Sequence, residues 1–178
     1  MSAGTHPVLI RMHGRGRYFR QPGRRGHTRT MDWTHYRFRA VWELPAPPAR
    51  VYPALERAED YPDWWPQVRE VTPVDADTGV IRIRSVLPYD ITVTARAARR
   101  DPAAGVLEIG MSGDLVGWAR WTLTAAGPGT RARYDQDVHV TTPLLRRLAV
   151  PGRPFFRANH ALMMRAGRRG LRARLEAV

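Results

Sequence analysis

The sequence predicts an α+β fold in which a curved antiparallel sheet of about seven strands surrounds one long C-terminal helix, with short helices after the first strand. Three observations support this prediction. An alternating apolar and polar segment begins near residue 36, short strand-like segments separated by turn residues follow it, and a proline-free amphipathic stretch ends the chain. A period of two is typical of a half-buried strand, whereas a period near 3.6 is typical of a surface helix.

The first strand is predicted over residues 36–44. Aromatic and aliphatic residues alternate there with more polar ones, and the prolines between residues 45 and 48 end the strand. Residues 49–58 suit a short helix, although Pro53 must lie in its first turn or distort it. The following residues, 61–66, contain too many prolines for more than one helical turn.

Six further strands are predicted between residues 68 and 141. Each is rich in β-branched or aromatic residues, and turn sequences such as D-T-G and G-P-G separate them. Seven strands joined by tight turns predict an antiparallel meander. The six predicted segments are residues 68–74, 79–87, 89–98, 105–112, 118–125 and 131–141.

The alternation also assigns the two faces of the sheet. One face carries arginines and aspartates, and on it we expect Arg120 to pair across strands with Asp135 or Asp137. The other face is expected to point inward. Its predicted members are Ile81, Ile83, Ile91, Val93, Leu107, Ile109, Met111, Trp121, Leu123, Tyr134, Gln136 and Val138.

The C-terminal segment predicts helices. Residues 144–150 suit a short helical stretch, the Pro-Gly pair at 151–152 interrupts it, and residues 155–177 contain no further proline. Because successive helical residues lie 100° apart, this long stretch has an arginine-rich face and an apolar face. The predicted packing face contains Phe155, Phe156, Asn159, Leu162, Met163, Ala166 and Gly170.

Residues 1–30 differ in composition from the rest of the chain. They contain seven arginines, no acidic residue and little apolar periodicity, so we predict a disordered basic tail. Two alternatives account for it: an arm that binds RNA or anionic lipid, or upstream sequence that is not translated in the cell, with Met31 as the start codon. The whole chain has a formal net charge of +13, whereas the predicted domain, residues 31–178, has a net charge of +6.

Composition excludes several classes of function. The chain has no cysteine, which excludes disulfides, thiolate catalysis and cysteine-ligated metals. The histidines show no metal-binding spacing, so neither a metal nor a cofactor is expected. No apolar segment approaches the roughly 20 residues that span a bilayer, and the start of the chain does not resemble a secretory signal. We therefore expect a cytoplasmic protein.

Two motifs carry a resemblance to a known family. A-P-P-A-R-V-Y at residues 46–52, followed by Y-P-D-W-W-P at 61–66, resembles the opening motif of the START/SRPBCC superfamily. G-T-R at residues 129–131 resembles the turn before the last strand of that superfamily. The order of the predicted elements is also similar to its helix-grip fold, in the polyketide cyclase/dehydrase-like branch. The likeness covers residues 33–178.

The resemblance implies an internal cavity between the sheet and the C-terminal helix, which holds a small hydrophobic molecule such as a lipid, a quinone or a polyketide-like compound. It implies no single reaction, because the superfamily contains both enzymes and carriers. We expect a binding protein, since an enzyme needs at least two convergent titratable groups and the sequence offers one histidine near the cavity. The alternatives are a cyclase or dehydratase of the same fold, and a basic module that associates with membrane or RNA.

Candidate ligand-binding residues combine a polar or aromatic side chain with an inward position. Asn159 lies at the centre of the apolar helix face, so its amide is expected to bond either the ligand or a neighbour such as Gln136 or Tyr134. By resemblance, one of Trp64 and Trp65 covers the cavity mouth while the other packs in the core. The full candidate set is Trp64, Trp65, Tyr89, Trp121, Tyr134, Gln136, Asn159 and Met163.

His160 flanks the same helix face and is the candidate general acid or base if the protein is an enzyme. The alternative is a histidine packed at the helix edge and hydrogen-bonded to the backbone. Nine arginines lie between residues 143 and 178, and we interpret them as a solvated face, with a weak contact with an anionic membrane as the alternative. Nucleic acid is not an expected partner of the domain.

Overall fold

The computed structural model describes residues 34–84, 90–143 and 152–177. Seven strands form one antiparallel sheet in this part of the chain. The predicted tail, residues 1–30, and the predicted helical stretch, residues 144–150, lie outside the described residues. The strands are β1 His35–Leu44, β2 Val68–Pro73, β3 Thr78–Arg84, β4 Asp90–Asp101, β5 Val106–Gly113, β6 Leu115–Ala126 and β7 Gly129–Val140.

The strand order across the sheet is β1-β7-β6-β5-β4-β3-β2. Strands β2 to β6 each pair with the next one along the chain, whereas β1 pairs with β7. Between β1 and β2 lie helix α1, Pro48–Glu56, a 3₁₀ turn, Ala58–Asp60, and helix α2, Tyr61–Trp64. The long helix α3, Arg153–Glu176, follows the sheet. The predicted α+β fold, with a curved antiparallel sheet around a long C-terminal helix, is therefore confirmed.

Some element boundaries differ from the sequence prediction. Strand β4 extends to Asp101, past its predicted end at residue 98, because its ladder with β5 continues beyond a register shift after Ala97. Helix α1 contains Pro53 within it rather than in its first turn. The helix continues there, and the Pro53 carbonyl oxygen accepts a hydrogen bond from the backbone N–H of Arg57 at 3.1 Å.

The packing face of helix α3 differs in part from the predicted one, and two glycines make its closest contacts. Phe155 and Leu162 were expected in that face, yet they are 43% and 56% exposed. A Cβ added to Gly170 would overlap the carbonyl oxygen of Trp64, and one added to Gly167 would lie 2.5 Å from the Trp65 ring. The helix is therefore rotated so that its glycines face α2. The buried residues of α3 are Met164, Ala166, Gly167, Leu171 and Leu175.

The expected partner of Arg120 is also corrected. Its guanidinium lies 2.6 Å from the carboxylate of Glu108 on β5, whereas the prediction paired it with an aspartate of β7. Arg120 stands opposite Glu108 on one side and Asp135 on the other. The Asp135 carboxylate is already held at 2.7 Å by both Arg39 and Arg133. Glu108 is therefore the acceptor that remains for Arg120.

The main core lies where α1, α2 and α3 cover the sheet. Trp42 and Leu171 are 2% and 0% exposed, and Val51 of α1 is fully buried in the same cluster. A second, smaller cluster forms around Tyr36 and Val138 near the start of α3. No helix among the described residues is long and apolar enough to cross a membrane.

Candidate ligand cavity

A cavity of about 320 Å³ lies between the sheet and helix α3. This volume is near the lower end of the usual range for ligand pockets, about 300 to 1,000 Å³, and suits one compact molecule. Isoleucines of β3, β4 and β5 form much of the sheet side of the wall, with Leu107 and Met111 beside them. These residues belong to the inward set predicted from strand alternation, so the sequence pattern located the cavity face.

The structure places most of the predicted site residues at this wall. Trp64 is not among the lining residues: it is 5% exposed and stacks on Trp65, with Tyr61 edge-on against it. Tyr89 lies outside the described residues. The predicted residues that line the cavity are Trp65, Trp121, Tyr134, Gln136, Asn159, His160 and Met163.

One side of the cavity is a wall of packed aromatic rings. The Trp121 ring centroid lies 4.8 Å from that of Tyr134 and 4.6 Å from that of Trp42. Trp42 also contacts Trp65 edge-on at 5.4 Å, and the Trp65 Nε1–H donates to the Met163 carbonyl oxygen at 3.0 Å. Offset and edge-on ring contacts stabilise such packing by about 0.5–1.5 kcal/mol each. The wall is therefore held together by contacts between the protein's own side chains.

Two amide side chains lie at the cavity wall. Gln136 is 6% exposed, and its Nε2 donates to the Met111 sulfur at 3.8 Å, a weak acceptor. The half-buried Asn159 amide has no hydrogen-bond partner within the described ranges, so the expected bond to Gln136 or Tyr134 is absent there. Amides removed from water normally find partners. Both side chains therefore keep donor and acceptor capacity for a ligand.

Two of the tyrosines at the wall, Tyr61 and Tyr134, are neutral phenols. Burial raises the pKa of Tyr134 well above its ordinary value of 10.0. Burial also raises the pKa of Tyr61, and the nearby Tyr134 adds to this shift. The Tyr61 hydroxyl donates to the Leu55 carbonyl oxygen at 2.5 Å, whereas Tyr134 has no such bond among the described residues. At neutral pH the Tyr134 hydroxyl can donate a hydrogen bond but cannot act as a base.

His160 is a buried imidazole between two other rings. Its ring stacks on Phe38 at a centroid distance of 3.9 Å and lies 6.0 Å from Tyr134. Its Nε2 is buried and has no hydrogen-bond partner in the described part of the chain. Burial lowers the pKa of His160 from its ordinary 6.5 to about 4. The imidazole is therefore neutral at neutral pH, with one donor and one acceptor nitrogen.

Charged residues gather at one end of the cavity. Arg100 binds Asp77 at 2.5 Å and the Ala76 carbonyl oxygen at 3.1 Å, and its Nε lies 3.9 Å from the Glu56 carboxylate. These contacts connect β4, the β2–β3 turn and the end of α1. The sequence prediction missed this rim because it ended β4 at Ala98. The charged residues 99–101, which follow Ala98, were the feature of the sequence that could have indicated this rim.

Comparison with known proteins identifies the family. A family model described as "Polyketide cyclase / dehydrase and lipid transport" matches residues 35–176, which include all seven strands and α3. The chain belongs to this family. No curated protein matches the chain. The predicted membership of the START/SRPBCC superfamily, in its polyketide cyclase/dehydrase-like branch, is confirmed.

Solved structures agree with the helix-grip fold of this family. A protein from Thermus thermophilus is 17% identical with a TM-score of 0.63, and the match covers 78% of this chain and 98% of that one. A START superfamily protein from Mycobacterium smegmatis is 18% identical with a TM-score of 0.54, covering 73% and 96%. An aromatase/cyclase from Streptomyces sp. R1128 is 18% identical with a TM-score of 0.53, covering 76% and 95%. At these identities the likeness establishes the fold alone.

In this member of the polyketide cyclase/dehydrase family, we expect acid to reduce stability through His160. The unfolded chain takes up a proton below about pH 6.5, whereas the folded protein does so only near pH 4. As the pH is lowered from 6.5 to 4, the free energy of unfolding falls by about 1.4 kcal/mol per pH unit, or roughly 3 kcal/mol in total. Urea unfolding of the wild type and His160→Gln from about pH 7 to about pH 4.5 measures the difference. If the free energies of unfolding of the wild type and His160→Gln changed equally with pH, the pKa of His160 would not be lowered in the folded protein.

Proposed function

We propose that this protein binds a small, mainly apolar molecule in the cavity between its sheet and helix α3. The observation that carries the proposal is an apolar cavity with one buried polar atom at its wall, the His160 Nε2, that has no hydrogen-bond partner among the described residues. An unpaired buried polar group costs about 1–3 kcal/mol, so such groups are retained where something else bonds them. The His160 Nε2 is such a group, and the half-buried Asn159 amide at the same wall offers a further donor and acceptor.

The electrostatics of the cavity support a neutral ligand. His160 and Tyr134 are both uncharged at neutral pH, and Gln136 and Asn159 are amides. An ion placed among these groups would lose its hydration without gaining an opposite charge. Most charged residues of the cavity lining lie at the Arg100 end, and Arg84 lies at the opposite end of β3. The ligand that fits is an apolar ring system or chain with one or two hydroxyl or carbonyl groups, as in lipids, quinones and polyketide-like compounds.

The proposal is tested by native mass spectrometry of the full chain purified from cells, with solvent extraction of any adduct. We expect one ligand per chain in the wild type. Met163→Trp fills the cavity and abolishes the adduct, because the new indole occupies the ligand's volume. Leu162→Trp is the matched control, since the neighbouring side chain is 56% exposed and the adduct is retained.

Two results would contradict the binding proposal. One is an adduct that persists in folded Met163→Trp, which would place the ligand elsewhere. The other is a wild-type protein that is free of adduct and takes up nothing from a panel of lipids, quinones and aromatic polyketides. Circular dichroism of each variant confirms that loss of the adduct does not reflect loss of the fold.

A cyclase or dehydratase is the second candidate function. It is favoured by the Tyr134 and His160 rings, which lie 6.0 Å apart at the wall, so two titratable groups converge where the sequence indicated one. A neutral imidazole can accept a proton and a neutral phenol can donate one. Turnover of a poly-β-keto substrate that falls at least about 100-fold in both His160→Gln and Tyr134→Phe would favour the enzyme. Stoichiometric binding without turnover favours the carrier.

Contact with an anionic membrane stays a prediction. Four exposed arginines of α3 have no ion-pair partner in the described part of the chain, which supports a weak electrostatic attraction to such a surface. This contact would place the cavity near a source of apolar ligand. The arginines are Arg157, Arg165, Arg168 and Arg169.

A further inference from the structure

Two histidines and an aspartate meet on the face of the sheet that points away from the cavity. His35 of β1 stands directly opposite His139 of β7, and Asp137 lies two residues before His139 on the same strand. Residues two apart on a strand point to the same face, and opposite residues of paired strands have Cβ atoms about 4.5–5.5 Å apart. The pairing of β1 with β7 therefore creates a triangle of three side chains.

The donor atoms of this triangle are close enough to share one ion. One nitrogen of each imidazole and one oxygen of the carboxylate all lie within 4.8 Å of one another. The His35 Nε2 and the Asp137 Oδ1 are 2.6 Å apart, and the two imidazole rings are nearly parallel, with centroids separated by 4.4 Å. Small side-chain rotations would bring the three donors to the bond lengths of about 2.0–2.2 Å that zinc takes with nitrogen and oxygen.

We propose that His35, Asp137 and His139 form a binding site for a divalent transition-metal ion, with Zn²⁺ as the best match. Two imidazoles and one carboxylate are a donor set that zinc accepts, and a fourth position facing solvent would take water. Mg²⁺ and Ca²⁺ prefer sets of oxygen donors, so they fit these two imidazoles poorly. The ion would take the place of the hydrogen bond between the His35 Nε2 and the Asp137 Oδ1.

The surroundings of Asp137 set both the geometry and the strength of this site. The Arg37 Nε donates to the second carboxylate oxygen, Oδ2, at 2.7 Å. This bond fixes the carboxylate plane and leaves Oδ1 directed at His35, as a supporting residue does around a metal ligand. The guanidinium charge also repels a cation, so we expect reversible binding that is weaker than in a buried structural zinc site.

The site is independent of the proposed ligand cavity. Tyr36, Phe38 and Gln136 alternate along β1 and β7 with the metal-binding residues and line the cavity on the other face. An ion at the site would tie the edge strand β1 to β7 without touching a cavity ligand. Failure of the metal proposal therefore leaves the binding proposal intact, and the reverse also holds.

Calorimetric titration of the full chain with Zn²⁺, after removal of metals with a chelator, tests the proposal. We expect His35→Ala, His139→Ala and Asp137→Asn each to weaken Zn²⁺ binding at least about tenfold. Asp135→Asn is the matched control: it removes the same charge from the same face of β7, but Asp135 pairs with arginines and contacts no histidine of the site. This control is expected to bind Zn²⁺ as the wild type does.

Thermal unfolding gives a second readout, because an ion that binds the folded state raises its melting temperature. We expect Zn²⁺ to raise the Tm of the wild type and of Asp135→Asn, and to leave the three ligand variants unchanged. Wild-type affinity in His35→Ala and His139→Ala would overturn the proposal and place the metal at other histidines, such as those in residues 1–30. Absence of Zn²⁺ binding by the wild type would also overturn it.

Discussion

Replacing Gly170 by alanine will destabilise the protein by about 3 kcal/mol, although alanine is the better helix former by about 1 kcal/mol. The reason is the close approach of α3 to α2. The new Cβ would overlap the backbone carbonyl oxygen of Trp64, which cannot move aside as a flexible side chain can. Relief of the overlap requires α3 to shift away from α2, and that shift loosens the buried contacts of Leu171.

Urea unfolding of Gly170→Ala measures this effect as a change in the free energy of unfolding. The control is the opposite change, Ala161→Gly, at an exposed position of the same helix. There we expect the ordinary loss of helix propensity, about 1 kcal/mol. If Gly170→Ala were neutral or stabilising, α3 would not approach Trp64 as closely as described.

Replacing Trp42 by alanine will cost about 3–5 kcal/mol of stability, the range typical of removing a buried aromatic side chain. Trp42 is 2% exposed and lies behind the cavity wall, where its ring contacts both Trp65 and Trp121. Its removal takes away apolar burial and two ring contacts, and it leaves a void that the rigid neighbours cannot fill. Trp42→Phe keeps part of the packing and is expected to cost less.

Val41→Ala is the matched control for Trp42→Ala. Val41 is the preceding residue on β1, points to the other face of the sheet and is 46% exposed. A surface substitution of this kind usually changes stability by no more than about 0.5 kcal/mol. Equal unfolding midpoints for the two variants in a denaturant titration would contradict the placement of Trp42 in the core.

The sequence predicted the fold because its strongest signals are local. The alternation along β1 and the inward residues of β3 to β7 follow from the period of two, and the cavity wall contains most of that inward set. The rotation of α3 was predicted wrongly for a physical reason. Amphipathic patterns weight bulky apolar residues such as Phe155 and Leu162. The close contact is made by Gly170, which the predicted face contained, and by Gly167, which it did not.

Features that depend on strand neighbours could not be predicted. To predict that Arg120 pairs with Glu108 and not with Asp135, one needs the register of both neighbouring strands and must know which carboxylates are already paired. The cluster of His35 with Asp137 requires that β1 lie beside β7, and these residues are 102 positions apart. A search for short metal-binding spacings cannot find ligands that only tertiary structure brings together.

The pairing of the first strand with the last also has a kinetic consequence. Strand β1 must wait until β7 exists before it can form its ten-residue ladder. During synthesis the N-terminal edge strand therefore emerges first and finds its partner last, while the hairpins from β2 to β7 can form in order behind it. The entropy of closing this long loop is lost before the β1–β7 contacts can stabilise the chain. We therefore expect refolding to take milliseconds to seconds.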